Sequence, residues 1–273
     1  MSIGSGSAAQ PRRADSTGQR LLGQLGRGLY AVLADAGRLT LFLGAAFARI
    51  FRRPLRAGAI LQQVDFIGAR SLSVVALSAA FTGLVLALQG YSVLVRFGSE
   101  NLVGSLVALS LTRELAPVLT ALMVTARAGS AMAATIGNMA VTEQIDALQA
   151  LSVDPLHYLV MPRLLAAVIV LPLLTALFSL AGLAAAYMLS VWVLGLDGLA
   201  FMSNVRSSVQ TKDVSVGLWK ALVFGLLLAS IATFRGFSAR RGAIGVGLAT
   251  SRTVVESAVL ILGGDYVMTA FLF

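Results

Sequence analysis

LLAAVIVLPLLTALFSLAGLAAAYMLSVWVL, residues 164–194, runs for 31 residues without a charged side chain. A bilayer core is crossed by roughly 20 helical residues, and a soluble helix of this length would need a polar outer face, which this stretch lacks. Working outward, apolar stretches at 71–95, 106–134, 216–234 and 254–273 are separated by polar loops, which predicts five spanning helices. The longest of the five exceed about 20 residues, so tilt or extension beyond the bilayer is expected. Composition agrees. Of 273 residues 58% are hydrophobic and 12% charged, against roughly 25% charged in ordinary soluble domains. The fold class is therefore all-α integral membrane, and a soluble helical protein is excluded.

The segment before the first span reads differently. Residues 1–20 are rich in Gly and Ser and then basic, without an apolar core, and predict a disordered basic tail rather than a signal peptide. Over 21–70 apolar residues recur at helical spacing (Leu21, Leu25, Leu29, Val32, Leu33) while Arg27, Arg38, Arg49, Arg52 and Arg53 interrupt them. Such a pattern places amphipathic helices at the cytoplasmic membrane interface, with a break at Pro54.

The formal charge of +9 could point to nucleic acid, but the basic residues border apolar segments instead of alternating with stacking aromatics, so no nucleic-acid partner is expected. Fifteen of the 21 basic residues fall on one side of the five-span topology: ten before the first span, then Arg163, Arg235, Arg240, Arg241 and Arg252. Arg96, Arg206, Lys212 and Lys220 fall on the other, and Arg113 and Arg127 lie inside the second span. The positive-inside rule then puts the N-terminus in the cytoplasm and Phe273 outside. With no cysteine and one histidine, His157, thiol chemistry and His-rich metal sites are excluded. No GxxxxGK[ST] occurs, and Gly245 and Gly247 are followed by Thr250 where a GxGxxG needs glycine, so ATP hydrolysis belongs to another polypeptide.

Four segments carry chemistry. Arg113 and Glu114 adjoin each other inside the second span, where ionisable groups face protein, water or a polar ligand. They are either a head-group site beside an apolar groove, or interfacial anchors if the helix begins later. ARAGSAMAATIG, 126–137, keeps side chains small and predicts close helix packing, within the chain or with a second copy. VTEQIDALQALSVDPLHYLVMPR, 141–163, predicts a short amphipathic helix near 141–152, capped by Thr142, with Glu143 and Asp146 near its start and Asp154–Pro155 ending it. It is either a partner-docking helix or a plain connector. Glu256, Asp265 and Tyr266 in the last span either line a polar path or mark the outer interface.

LQGYSVL (88–94), RELAPVLTAL (113–122), ARAGSAMAATIGNM (126–139), the 141–163 segment and SRTVVESAVLILGGDYVMTAFLF (251–273) occur in that order and together resemble the MlaE permease family of MCE-associated lipid transporters. The likeness runs from about Leu21 to the C-terminus. It implies an ABC-transporter permease fold with an N-terminal interfacial helix and five transmembrane helices over 71–273. It also implies a homodimer with two cytoplasmic ABC ATPase subunits that bind ATP and Mg, a STAS-domain protein and a periplasmic MCE-protein hexamer. The implied cargo is glycerophospholipid moving between inner and outer membranes, which maintains outer-membrane asymmetry.

Position by position, the resemblance assigns Leu86, Val93, Leu94 and Phe97 to the lipid cavity, and Arg113 and Glu114 to its polar pair. Glu143, Gln144, Asp146 and Leu148 match the ATPase-coupling helix. Many members are acidic where this chain has Thr135. No cofactor or metal is expected in the chain itself. The alternatives are a secondary transporter or channel without an ATPase, and a lipid-modifying enzyme, for which no catalytic constellation is found.

Overall fold

The computed structural model describes residues 17–48, 57–239 and 242–272. The break expected at Pro54 with its neighbours Arg49, Arg52 and Arg53, most of the basic tail, Arg240, Arg241 and Phe273 lie outside those residues. The chain divides into two units, 1–42 and 43–273. In the first, the described residues belong to one helix, α1 (Thr17–Phe47), which continues past the division. Its exposed Tyr30, Leu33 and Leu41 leave apolar surface uncovered, and Asp35 accepts a 2.8 Å hydrogen bond from Arg38 one turn on.

The second unit is helical throughout, and five of its described segments are long and apolar enough to cross a membrane. The first span, Ala57–Phe97, joins α2 (Ala57–Ile67) to α3 (Leu72–Leu94) through a tight turn. The second, Glu100–Val141, strings together α4 (Val103–Ser110), α5 (Ala116–Val124) and α6 (Ser130–Val141), joined by π-helical turns at Leu111–Leu115 and Thr125–Gly129. After the short α7 (Gln144–Ala150), the third span runs Leu156–Val193 around α8 (Met161–Met188), which carries Pro172 in its interior. A short α9 (Gly198–Ser208) precedes the fourth span, α10 (Thr211–Phe237), and the fifth, α11 (Gly242–Leu272).

The five expected spans are all present, and each helix is longer than its apolar run. The largest differences are at two starts: the first span begins fourteen residues before the expected position 71, and α11 begins twelve residues before 254. Arg252 and Glu256 mark that segment as polar in sequence, but Glu256 is bonded to Arg235 of α10 at 2.6 Å, which lets the helix carry it. Neutralised pairs are how spans tolerate ionisable side chains.

Helices α3, α8, α10 and α11 pack in sequence, each on the next, and the second span lies across all four. Small residues permit this. A Cβ at Gly83 of α3 would overlap the carbonyl of Gly182 in α8, so the two backbones meet directly. Ala79, Gly83, Ala87 and Gly90 form the buried stripe of α3. The small residues of 126–137 pack likewise against the same chain: Gly129 against Leu228 of α10, and Gly137 against Ala239 and Val246. Between the third and fourth spans α9 is N-capped by Asp197, which accepts from Leu199 and Ala200, and its Phe201 packs edge-on to Tyr187 at 5.5 Å.

Candidate functional site

On α10, Asp213, Gly217 and Lys220 stand at successive turns of one face. A Cβ on Gly217 would strike the Thr112 carbonyl, so glycine brings α10 to the backbone of the second span at its first π turn. Arg113 and Glu114 follow Thr112 in that turn, and the close approach sets them against the charges flanking Gly217. Arg113 Nε donates to Asp213 Oδ1 at 2.8 Å and its Nη2 lies 2.7 Å from the same oxygen. Asp213 Oδ2 accepts from the Gln210 amide at 2.9 Å, closing a capping box that starts α10.

Lys220 is 0% exposed. Its Nζ donates to Glu114 Oε2 at 2.5 Å and Thr269 Oγ1 at 2.7 Å. It also lies 2.9 Å from Asp265 Oδ1, an ion contact without hydrogen-bond alignment. Thr269 turns its own hydroxyl to the Asp265 carbonyl at 2.8 Å. Arg113, Glu114, Asp213, Lys220 and Asp265 therefore form an assembly of two cations and three carboxylates joining the second, fourth and fifth spans, in which Asp213 and Lys220 are buried and Arg113 and Glu114 stay partly exposed.

Three of these partners were not assigned from sequence. Lys220 reads there as an outer-side residue, whereas the structure buries it; Asp213 and Thr269 carry no reading at all. The available signal was depth. Lys220 lies nine residues into α10, Glu114 eleven residues past the start of α4 and Asp265 seven residues from the end of α11, each about 10–17 Å from the same end of the bundle at 1.5 Å per residue. Opposite charges at equal depth on different spans are candidates to pair.

The residues assigned to the lipid cavity lie along α3 and just past it. Leu77, Phe81, Val85 and Leu88 form its most exposed stripe. Leu86 and Leu94 are half-buried at the margin of that stripe, while Val93 and Phe97, the latter 76% exposed, stand open at the outer end. Arg113 and Glu114 are thus bonded to α10, and the α3 face is lined by apolar side chains for most of its length. A separate apolar groove of about 300 Å³ lies between the second span, α8 and α10, lined by Leu111, Thr175, Leu180, Val214 and Leu218.

At the opposite end of the bundle the 142–155 loop is held by one anchor. Ile145, 7% exposed, packs with Ile136 and Leu159, and Met139, Leu148 and Phe237 close around them. Glu143, Gln144 and Asp146 face outward, whereas Leu148 turns partly into the anchor. Thr142 does not cap α7: its hydroxyl bonds back to the Asn138 carbonyl at 2.8 Å, ending α6, and Glu143 takes the position before α7 with a left-handed φ of 57°. The helix stops at Ala150 rather than at Asp154, because Ser152 turns left-handed at φ 59°. Arg127, in the second π turn, donates to the Phe66 carbonyl at 3.1 Å and to Ser71 Oγ at 2.8 Å, fixing the junction of α2 and α3. π turns recur at functional positions in helices, and both of those in the second span hold its ionisable side chains.

The family described as Permease MlaE matches residues 60–271. The chain is 43% identical over 239 residues to the "Probable ABC transporter permease protein" of Rickettsia felis, covering 88% of this chain and 92% of that one. It is 41% identical over 215 residues to the "Intermembrane phospholipid transport system permease protein MlaE" of Haemophilus influenzae, covering 78% and 82%. It is 35% identical over 230 residues to the Arabidopsis thaliana protein "TRIGALACTOSYLDIACYLGLYCEROL 1, chloroplastic", covering 84% and 66%.

Proposed function

The chain belongs to the MlaE permease family, and from that premise we propose that it is the permease subunit of an ABC transporter moving glycerophospholipid between inner and outer membranes. It is a multi-pass inner-membrane protein with its N-terminus in the cytoplasm. The observation that carries the reading is α3: one face meets α8 backbone to backbone, and the other presents an apolar surface from Leu77 to Phe97. Two copies with these faces opposed enclose an acyl-chain cavity in which Leu86, Val93, Leu94 and Phe97 contact lipid.

Two cytoplasmic ATPase subunits, which hold ATP and Mg, seat on the outward side of α7 through Glu143, Gln144 and Asp146. Leu148 acts from beneath by holding the helix to its anchor. Closure of the ATPases moves α7, and Ile145 passes the displacement through Ile136 to the second span. A STAS-domain protein and a periplasmic MCE hexamer complete the assembly. Arg113 and Glu114 act on cargo through the position they give the second span against α10, with head-group contact limited to their exposed edges.

A photo-crosslinking residue at Val93 or Phe97 should capture labelled phospholipid from membranes, and capture should change when the ATPase is trapped with ATP. Absence of lipid adducts at both positions, with adducts at an α8 control, sinks the cavity. Purification of the wild type and Glu143→Lys separates this reading from a secondary transporter. The wild type should bring down an ATPase with lipid-stimulated activity, and the mutant should lose it. A chain that moves lipid alone would favour the rival.

A further inference from the structure

A second concavity lies away from α3, in the elbow where α10 gives way to α11. It encloses about 350 Å³ and is lined by Arg235, Ser238, Ile244, Gly245, Leu248 and Arg252, within the roughly 300–1,000 Å³ typical of ligand sites. Phe237 packs on the Ile136–Ile145–Leu159 anchor, so this elbow sits at the same end of the bundle as α7. The two helix ends that form it, Phe237 of α10 and Gly242 of α11, close the fourth span and open the fifth.

The walls are of two kinds. Arg235 is mostly buried, its guanidinium 5.2 Å from the Phe234 ring centroid and its Nε bonded to Glu256 at 2.6 Å. Arg252 is exposed on α11. Two guanidiniums against one carboxylate leave an excess positive charge, and the first turn of α11 adds the positive end of a helix dipole. Beside them Ile244 and Leu248 stand well exposed as an apolar wall. A cationic floor under an apolar wall at the membrane boundary matches a phosphodiester carrying acyl chains. Guanidinium binds phosphate through paired N–H donors, and basic pockets between spans are where anionic lipid head groups settle.

We propose that this elbow binds the phosphodiester head group of an anionic glycerophospholipid as a resident lipid, separate from cargo held on α3. A zwitterionic lipid fits less well, because its ammonium meets the same excess positive charge. The site does not depend on the transport reading.

The test is binding to the full chain, with any partners that accompany it in mild detergent, of dioctanoyl phosphatidylglycerol, dioctanoyl phosphatidylcholine and glycerol phosphate. Phosphatidylglycerol should bind at least tenfold more tightly than the other two. Arg252→Glu should weaken it tenfold or more. Glu256→Gln, which removes the competing carboxylate, should tighten it about threefold, a gain that damage to folding does not produce. Leu173→Ala, at an exposed position of α8 away from both the elbow and the α3 face, should leave it unchanged. Equal binding of the choline lipid or of Arg252→Glu overturns the site, and equal binding of glycerol phosphate reduces it to a phosphate site without lipid. Loss of the phosphatidylglycerol preference in Val93→Trp, with its retention in Arg252→Glu, reassigns the signal to α3.

Discussion

Replacing Lys220 by Met tests whether the charged assembly holds the bundle together. Met has nearly the length of Lys and no charge, so the substitution leaves Glu114 and Asp265 without their cation while preserving volume. Removing one partner of a buried ion pair costs about 3–5 kcal/mol, because the remaining charge is stranded. Glu114 keeps 36% of its side chain exposed, so water relieves part of the loss and the low end applies, about 3 kcal/mol. At 2–4 °C per kcal/mol for a domain of this size, the melting midpoint in detergent should fall by about 6–12 °C. Fluorescence-detected size exclusion after heating measures it. The triple variant Lys220→Met, Glu114→Gln, Asp265→Asn removes all three charges and should recover most of the loss, since apolar or neutral replacement of a whole ion network is often tolerated. An unshifted midpoint for Lys220→Met, or a triple variant no better than the single one, refutes the reasoning.

Gly217→Leu should separate α10 from the Thr112 carbonyl and break both ion pairs at once, lowering expression and the melting midpoint more than Lys220→Met does; equal stability of the two would show that the backbone contact is dispensable. Gly83→Val should overlap Gly182 and cost at least the roughly 1–3 kcal/mol of an overpacked core, read by the same thermal assay. Ile145→Ala should cost about 2 kcal/mol at the rim of the bundle, the low end for a truncated Ile. It should uncouple lipid-stimulated from basal ATPase activity in the assembled complex, and unchanged stimulation would remove Ile145 from the coupling route.

The number of spans was legible because long apolar runs admit few other readings, and 164–194 admits none. Their ends were not. In sequence Arg252 looks like a loop residue and Glu256 sits in the expected span with no visible partner, and only the position of Arg235 on a neighbouring helix shows what Glu256 pairs with. Thr142 had the residue type of an N-cap, but its hydroxyl found the Asn138 carbonyl first, a competition that residue type alone does not decide. Lys220 was misplaced for a related reason. One lysine near the edge of an apolar run is most simply an interfacial anchor, and it becomes a bundle centre only once Gly217 has brought α10 against Thr112. Arg113 and Glu114 were correctly singled out as chemically unusual, but their partners lie 100 and 106 positions away, beyond the reach of local pattern.

Internal pairing of those charges bears on how cargo is chosen. If Arg113 and Glu114 gripped a head group, the ion pairs with Asp213 and Lys220 would have to open each time lipid bound, which would strand two buried charges without their partners. The face offered by α3 imposes no such cost. Its outermost side chains, Leu77, Phe81, Val85 and Leu88, are apolar, and its affinity scales with acyl area rather than with head-group chemistry. A cavity built this way holds glycerophospholipids by their chains, with the head group left near the water boundary. The charged assembly sets where the second span stands relative to α10 and α11. Cargo chosen by its chains leaves the arginine-lined elbow of α10 and α11 to the resident anionic lipid proposed there, apart from the α3 face.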